Sequence, residues 1–225
     1  MIKPYHYFFF LTLFTCLGHV KSQTIRHFDC SYSPTLTFIT VPGNRNNTQQ
    51  WGHQVVAGWS WAKSPRFSYH AGVGYSFLQA EYQFDINSTS ETLNTWYRHH
   101  DLIFPLQIKY AFSDRPSRIY SIVGLVPSFN IGRKVLETRS SSTHSWVRDA
   151  TDEQYYDRFD MPLSVGAGYS FSWKNIGHVY IQPTFRTNLA TEFFYFFRYL
   201  FGRKSSTNDD PPAWSSLGMT LGFAW

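Results

Sequence analysis

In residues 161–173, MPLSVGAGYSFSW, the side chains alternate between two unlike sets. Met161, Leu163, Val165, Ala167, Tyr169, Phe171 and Trp173 are apolar or aromatic, while Pro162, Ser164, Gly166, Gly168, Ser170 and Ser172 are nearly all small. Period-2 alternation sustained over this length predicts a strand with two different faces. A strand of a soluble sandwich sets charged side chains opposite its apolar face. Here that opposite face carries almost nothing, so the apolar face must meet something other than a water-covered protein core.

The pattern recurs. In 66–77, Phe67, Tyr69, Ala71, Val73, Tyr75 and Phe77 alternate with Ser68, His70, Gly72, Gly74 and Ser76. In 101–112 the apolar set is Leu102, Phe104, Leu106, Ile108, Tyr110 and Phe112, with Gln107, Lys109 and Ala111 opposite. Val179, Ile181, Phe185 and Leu189 oppose Tyr180, Gln182, Thr184, Arg186 and Asn188, and Leu217, Met219, Leu221, Phe223 and Trp225 oppose Gly218, Thr220, Gly222 and Ala224. Segments 51–62 and 118–137 bring the strands to seven. A weaker eighth lies at 33–41, where Leu36/Phe38 and Ile39/Val41 favour different faces.

Connections between these strands alternate in length. Those at 42–50, 86–96, 139–154 and 191–212 are long, and those at 63–65, 113–117 and 173–177 are short and rich in turn residues. Long loops on one side with tight turns on the other are the asymmetry of an outer-membrane barrel, with the turns in the periplasm. The predicted fold is all-β: an eight-stranded antiparallel up-and-down transmembrane β-barrel. Its apolar face meets lipid, and its small face fills a lumen just wide enough for side chains. Phe67 to Phe77 covers about 23 Å of depth at ~3.3 Å rise and ~45° tilt, near the apolar band of such barrels. Strands 66–85 and 118–138 outrun that depth, so their far ends are expected to stand above the membrane as hairpins.

Trp61, Trp173 and Trp225 end strands running in one direction, and Trp51, Trp96, Tyr97, Tyr155, Tyr156 and Trp214 begin strands at the opposite rim. Two aromatic girdles are expected, with Trp61, Trp173 and Trp225 in one and Trp51 and Trp214 in the other.

Residues 1–22 read as a signal peptide, with basic Lys3, an apolar stretch from about Tyr7 to Leu17, and cleavage after Ser22. This leaves 23–225 as a single barrel domain. Removing Lys3 and Lys21 takes the formal charge from +5 to +3, too mild to indicate nucleic acid. Cys30 is then the one cysteine, so no intrachain disulfide framework is expected.

Residues 104–112, FPLQIKYAF, and 159–171, FDMPLSVGAGYSF, share Pro-Leu and close on Tyr-x-Phe-Ser. In these segments the chain resembles the PorT-like small outer-membrane β-barrel family of Bacteroidetes, the outer membrane protein β-barrel domain. Gly218-x-x-Leu221-x-Phe223 ending on Trp225 is similar to the strand signal read by the barrel-assembly machinery. The resemblance implies a barrel in the bacterial outer membrane with both termini in the periplasm and long loops outside. It brings no shared catalytic residues, and some relatives belong to secretion or surface assemblies.

No cofactor, metal or catalytic residue is predicted. His99, His100 and Asp101 form the densest group of ligand-type residues, but neighbouring strand positions face opposite ways, leaving His99 and Asp101 at most on one side. His144, Ser145 and Asp149 in the loop 139–154 are the residues an outer-membrane lipid acyl hydrolase would use. Lys109 and Arg186 face the lumen and need buried partners, with Glu81 or Asp101 as candidates. In 193–201, seven of nine residues are aromatic. Phe193, Phe194, Tyr195, Phe196, Phe197, Arg198 and Tyr199 are the candidate contact for a partner protein or for outer-membrane lipid.

The function expected is a barrel without enzymatic activity, a structural or partner-binding component of an envelope or secretion assembly. Its expected partners are outer-membrane lipid, the barrel-assembly machinery during biogenesis, and other envelope proteins, with no nucleic acid. The alternatives are the lipid-modifying acyl hydrolase and a secreted lipocalin-like ligand carrier, which would need its apolar faces turned inward.

Overall fold

A computed structural model describes residues 25–40, 46–86, 91–115, 117–140, 144–149, 151, 159–173, 177–188 and 213–225. Among these every regular element is a strand: β1 (Ile25–Thr40), β2 (Asn46–Thr48), β3 (Gln50–Ala62), β4 (Phe67–Ile86), β5 (Glu91–Ile103), β6 (Leu106–Ala111), β7 (Arg118–Leu125), β8 (Ser128–Ser140), β9 (Ser145–Asp149), β10 (Phe159–Asp160), β11 (Pro162–Trp173), β12 (Gly177–Asn188) and β13 (Ala213–Ala224).

These elements merge into eight staves. β5 runs on into β6, β7 into β8 and β10 into β11. Neighbouring staves pair antiparallel in chain order, and β13 returns to pair with β1, Leu221 facing Tyr32 and Gly218 facing Thr35. The ring is therefore closed, and closure satisfies the edge hydrogen bonds that an open sheet would leave free. Phe28 and Trp225 exchange backbone hydrogen bonds of 3.1 and 3.0 Å, placing Ile25 and Trp225 at one rim. The tight turns lie at that same terminal rim.

The alternation holds throughout. Val165, Tyr169 and Trp173 are exposed on the outside while Ser164 and Gly168 are buried inside. Leu217, Met219 and Leu221 face out, and Ser216, Gly218 and Thr220 face in. The weak strand resolves the same way: Thr35 and Thr37 are buried in the lumen and the even positions turn outward.

Three stave interruptions form a diagonal of prolines. Proline has no N–H to give to a ladder, so it sits where pairing breaks. The carbonyls still serve: Gly72 N donates to Pro105 O (3.0 Å), Phe104 N to Pro127 O (2.8 Å) and Val126 N to Pro162 O (2.9 Å). Pro105 and Pro162, shared by the two sequence segments quoted above, thus occupy related positions in the wall.

Strand ends differ from the sequence expectation in four places. The first strand begins at Ile25 rather than 33, because Phe28, Cys30 and Tyr32 already alternate with Asp29, Ser31 and Ser33. The loop expected at 86–96 is mostly strand: Glu91 to Trp96 pair with Ile86 to Glu81, leaving 87–90 as the connection. The 42–50 connection holds β2, which pairs with β4 at Glu81 to Gln83. The 139–154 loop holds β9, where Ser145 faces Ser140 and Asp149 faces Leu136. Cross-strand pairing outweighs local polarity in each of these segments.

At the terminal rim, Lys63 N donates to Phe67 O at 2.9 Å and closes the first turn. Arg66 Nε and Nη2 reach Asp114 at 2.9 and 3.3 Å, tying that turn to its neighbour. The guanidinium's hydrogen bonds hold the Asp114 carboxyl below its ordinary value. The contribution is therefore present above the unfolded carboxylate's pKa and lost as pH falls through the lower folded one. Both groups are in water, where salt screens them. Asp114→Asn is expected to lower the melting temperature slightly at pH 7 in low salt, and to have no effect in high salt or at strongly acid pH.

Candidate functional site

The lumen gathers the side chains that the outer wall could not hold. Asp29 is wholly buried, accepting from Ser60 Oγ at 2.9 Å and from His70 Nδ1 at 3.0 Å. The Lys109 ammonium lies within Coulomb reach of the Asp29 carboxylate, 4.9 Å from the Tyr180 ring centroid and 5.8 Å from that of Tyr120. Tyr120 Oη donates to Gln182 Oε1 at 3.0 Å, and Gln54 Nε2 to Ser76 Oγ at 3.1 Å. These bonds cross from stave to stave, so the interior is a cross-linked polar plug.

Glycines make room for the two tyrosines. A Cβ added at Gly222 would fall on the Tyr180 ring, and one at Gly168 on the Tyr120 ring. Gly222→Ala is expected to cost about 1–3 kcal/mol by overpacking. The double variant Gly222→Ala/Tyr180→Leu should lose less than the two single variants summed, because both act on one space. Urea unfolding of the lipid-reconstituted protein reads both. Additive losses would mean the ring does not occupy that space.

The sequence reading placed Lys109 and Arg186 in the lumen correctly and chose the wrong carboxylates. Glu81 accepts from Asn94 at 2.5 Å and from Gln50 at 3.4 Å, and Asp101 accepts from Asn130 at 2.9 Å. Asp29 is the acid near Lys109. Its sequence signal is the alternation of Phe28-Asp29-Cys30-Ser31-Tyr32, which lies ahead of the strand expected at 33–41. Among the described residues no carboxylate pairs with Arg186, whose Nε is buried without a hydrogen-bond partner. A cavity of about 20 Å³, measured for a water's centre, lies in the lumen and is lined by both cations together with Ser33, Gln54, His70 and Gln182. That is room for about one water.

His99 and Asp101 face the lumen, while His100 faces outward and meets Tyr75 Oη at 2.5 Å. Among the described residues no three His, Cys, Asp or Glu side chains come together. In the outer hairpin, Asp149 accepts from the Thr151 N–H at 3.0 Å and from its hydroxyl, and these bonds hold its carboxyl below the ordinary value. Ser145 and Asp149 are four strand positions apart, about 13 Å, so they do not form one relay.

The outside carries the aromatic rows. At the terminal rim Phe28 packs against Trp59 and Trp225 with centroids 5.3 and 5.0 Å apart, and Phe171 lies 6.4 Å from Trp173. Trp61 stands on the same face, two positions beyond Trp59. Trp51 is exposed toward the far rim, where Trp214 pairs through its backbone with Ile39. Tyr97 is not part of that row, because its ring turns inward and is buried. Tyr155, Tyr156 and the aromatic run Phe193, Phe194, Tyr195, Phe196, Phe197, Arg198 and Tyr199 lie outside the described residues, as do residues 1–22, expected to be a leader.

Above the far rim β2, β4, β5, β8 and β9 continue as a twisted sheet. β9 pairs with β8 on one side, all five of its residues are exposed, and Trp146 and Val147 are among them.

A family model described as outer membrane protein beta-barrel domain matches residues 35–208. No curated protein matches the chain. Among solved structures, the chain is similar to the attachment invasion locus protein Ail of Yersinia pestis (12% identity, 89% of this chain and 99% of that one, TM-score 0.39). It is similar to the N-terminal β-barrel domain of Pseudomonas aeruginosa OprF (12%, 88% and 97%, 0.39) and to the outer membrane protease OmpT of Escherichia coli (12%, 91% and 97%, 0.44).

Proposed function

The chain belongs to the outer membrane protein β-barrel domain family, and on that premise we propose that it is a non-enzymatic outer-membrane component that presents a binding surface to an envelope partner. The bacterial outer membrane is its location. The observation that carries the reading is the contrast between the two ends of the molecule. Among the described residues the lumen is cross-linked by side-chain hydrogen bonds, and the cavity between them has room for about one water. The sheet above the far rim instead ends, among the described residues, on an exposed strand, β9, which pairs with β8 and carries two large apolar side chains, Trp146 and Val147.

Unpaired strand edges with apolar side chains are docking elements in protein recognition. On this reading the long loops are extracellular, both termini are periplasmic, and the leader 1–22 is removed on export. The aromatic rows sit at the two headgroup levels. On this reading the chain is of the PorT-like group of the family, some of whose members serve in surface assemblies, a reading that Pro105 and Pro162 at related wall positions support. The lipocalin-like arrangement would need apolar faces inward, whereas here they are outward.

The test is extraction of the tagged full chain from outer membranes in mild detergent, with quantification of co-purifying proteins. A stoichiometric envelope partner, lost on Trp146→Ser/Val147→Asp, is the expected result. A lone barrel from native membranes contradicts it. Substituting His144 is expected to leave the lipid acyl composition unchanged, and an altered composition would favour the acyl hydrolase.

A further inference from the structure

We propose that the outer wall carries a site for the phosphate of an outer-leaflet lipid headgroup, built on Arg98 and Lys134 beside His100. The leaflet rests on the orientation given above, with the long loops outward. Arg98 on β5 and Lys134 on β8 are direct cross-strand partners. Their chain neighbours Tyr97 and Val135 are buried on the inner side, so both cations turn outward. Directly opposed side chains have Cβ atoms about 4.5–5.5 Å apart, which lets both reach one phosphate. Two like charges so placed also repel, and an anion between them relieves that cost.

The depth suits a headgroup. Phe67 stands at the terminal rim, and Phe77 lies ten positions up the same stave, facing His53 on one side and His100 on the other. Arg98 faces Gln79, two positions higher. That is about 28 Å from Phe67 at ~3.3 Å rise and ~45° tilt, just beyond an apolar band of roughly 25 Å. Up this part of the wall the outward residues change in order. Tyr75 and Leu102 come first, then Phe77 and His100, then Gln79, Arg98 and Lys134. The acids Glu81 and Asp149 stand above them, opposite Trp96 and Leu136, with Asp149 within Coulomb reach of Lys134. Cations between the apolar belt and the acids are the order that a layer of anionic headgroups favours.

The local packing prepares the same site. Arg98 Cζ is 4.4 Å from the Trp96 ring centroid and 5.7 Å from that of Phe77, and its Nε has no hydrogen-bond partner among the described residues. Stacking on rings orients a planar guanidinium and leaves its forked N–H groups for a phosphate. His100 Nδ1 is 2.5 Å from Tyr75 Oη. With Tyr75 donating to Nδ1, the Nε2–H of the ring is a further donor. Opposite His100 stands Gly132, where an added Cβ would first meet the His100 side chain at 3.7 Å, so the wall beside the ring is open.

The experiment uses the full chain refolded in detergent, with diphosphoryl lipid A as the probe. At about ten times its dissociation constant the lipid should raise the melting temperature by about 3–6 °C. Dephosphorylated lipid A and inorganic phosphate should each leave it unchanged. Arg98→Gln/Lys134→Gln should abolish the shift, while Arg66→Gln at the opposite rim should keep it. If the double variant does not refold, Lys134→Gln alone should reduce the shift.

Equal shifts with and without the lipid phosphates overturn the proposal, as does a shift produced by inorganic phosphate alone or one that persists in the double variant. Loss of a co-purifying protein in that variant, with the lipid shift intact, would assign the patch to a protein partner and equally overturn it. The orientation is read separately, by labelling Val147→Cys in a Cys30→Ser background on intact cells with a membrane-impermeant maleimide. Labelling is expected, and labelling only after lysis would overturn the outer-leaflet assignment.

Discussion

Asp29→Asn should destabilise the barrel by about 3–5 kcal/mol, the largest loss expected from any single change. The substitution keeps one acceptor for Ser60 and His70, turns the other, unbonded oxygen into an amide donor, and removes the negative charge. The buried Lys109 ammonium then has no counter-charge in a wall packed by Tyr120 and Tyr180. A second change, Lys109→Met in the same chain, should recover most of the loss, because the uncompensated charge is gone and the aliphatic stem still fills the space between the rings. Urea titration of the protein in lipid vesicles measures both. Recovery is the discriminating result: a loss that persists in the double variant would locate the role of Asp29 in its bonds to Ser60 and His70 instead.

Leu221→Arg should cost about 2–4 kcal/mol, the amount expected for a cation on the lipid face near the bilayer midplane. Leu221 is 52% exposed, opposite Tyr32 and Ile181, and four positions above the rim residue Trp225. On a water-covered surface the same change would be worth about half a kcal/mol or less. Val147→Arg supplies that comparison, since Val147 is 69% exposed on the hairpin above the barrel. Near-equal effects at the two positions would remove lipid from the account of the outer wall.

How much of this could be read from the chain depends on how many neighbours each residue answers to. Wall positions such as Val165, Ser164, Leu217 and Gly218 announce their side because lipid outside and crowding inside impose opposite demands on adjacent residues. The strand at 33–41 was ambiguous for the opposite reason. Ile39 and Val41 add apolar residues off the pattern near its end, and Asp29 and Ser31, which would have fixed the face, lay before the boundary chosen.

The hairpins were underestimated on different grounds. Residues 91–96 and 145–149 carry no alternation of apolar and small side chains, since both faces stand above the belt. Their strand character comes from partners in β4 and β8. The same limit applied in the lumen. The sequence places Lys109 and Arg186 on inward positions, but which acid approaches Lys109 depends on stave stagger around a closed ring, and that brings Asp29 from the first stave rather than Glu81 or Asp101.

The central claim is that the outer face of the staves meets lipid and the inner face fills a closed lumen. Site-directed spin labels placed one at a time along Leu217, Gly218, Met219, Thr220 and Leu221, in a Cys30→Ser background reconstituted in vesicles, test it most directly. The expected result is oxygen accessibility alternating with period two, high at Leu217, Met219 and Leu221, with a water-soluble nickel reagent excluded from those same positions. Strong accessibility of Leu217, Met219 and Leu221 to the nickel reagent would contradict the account.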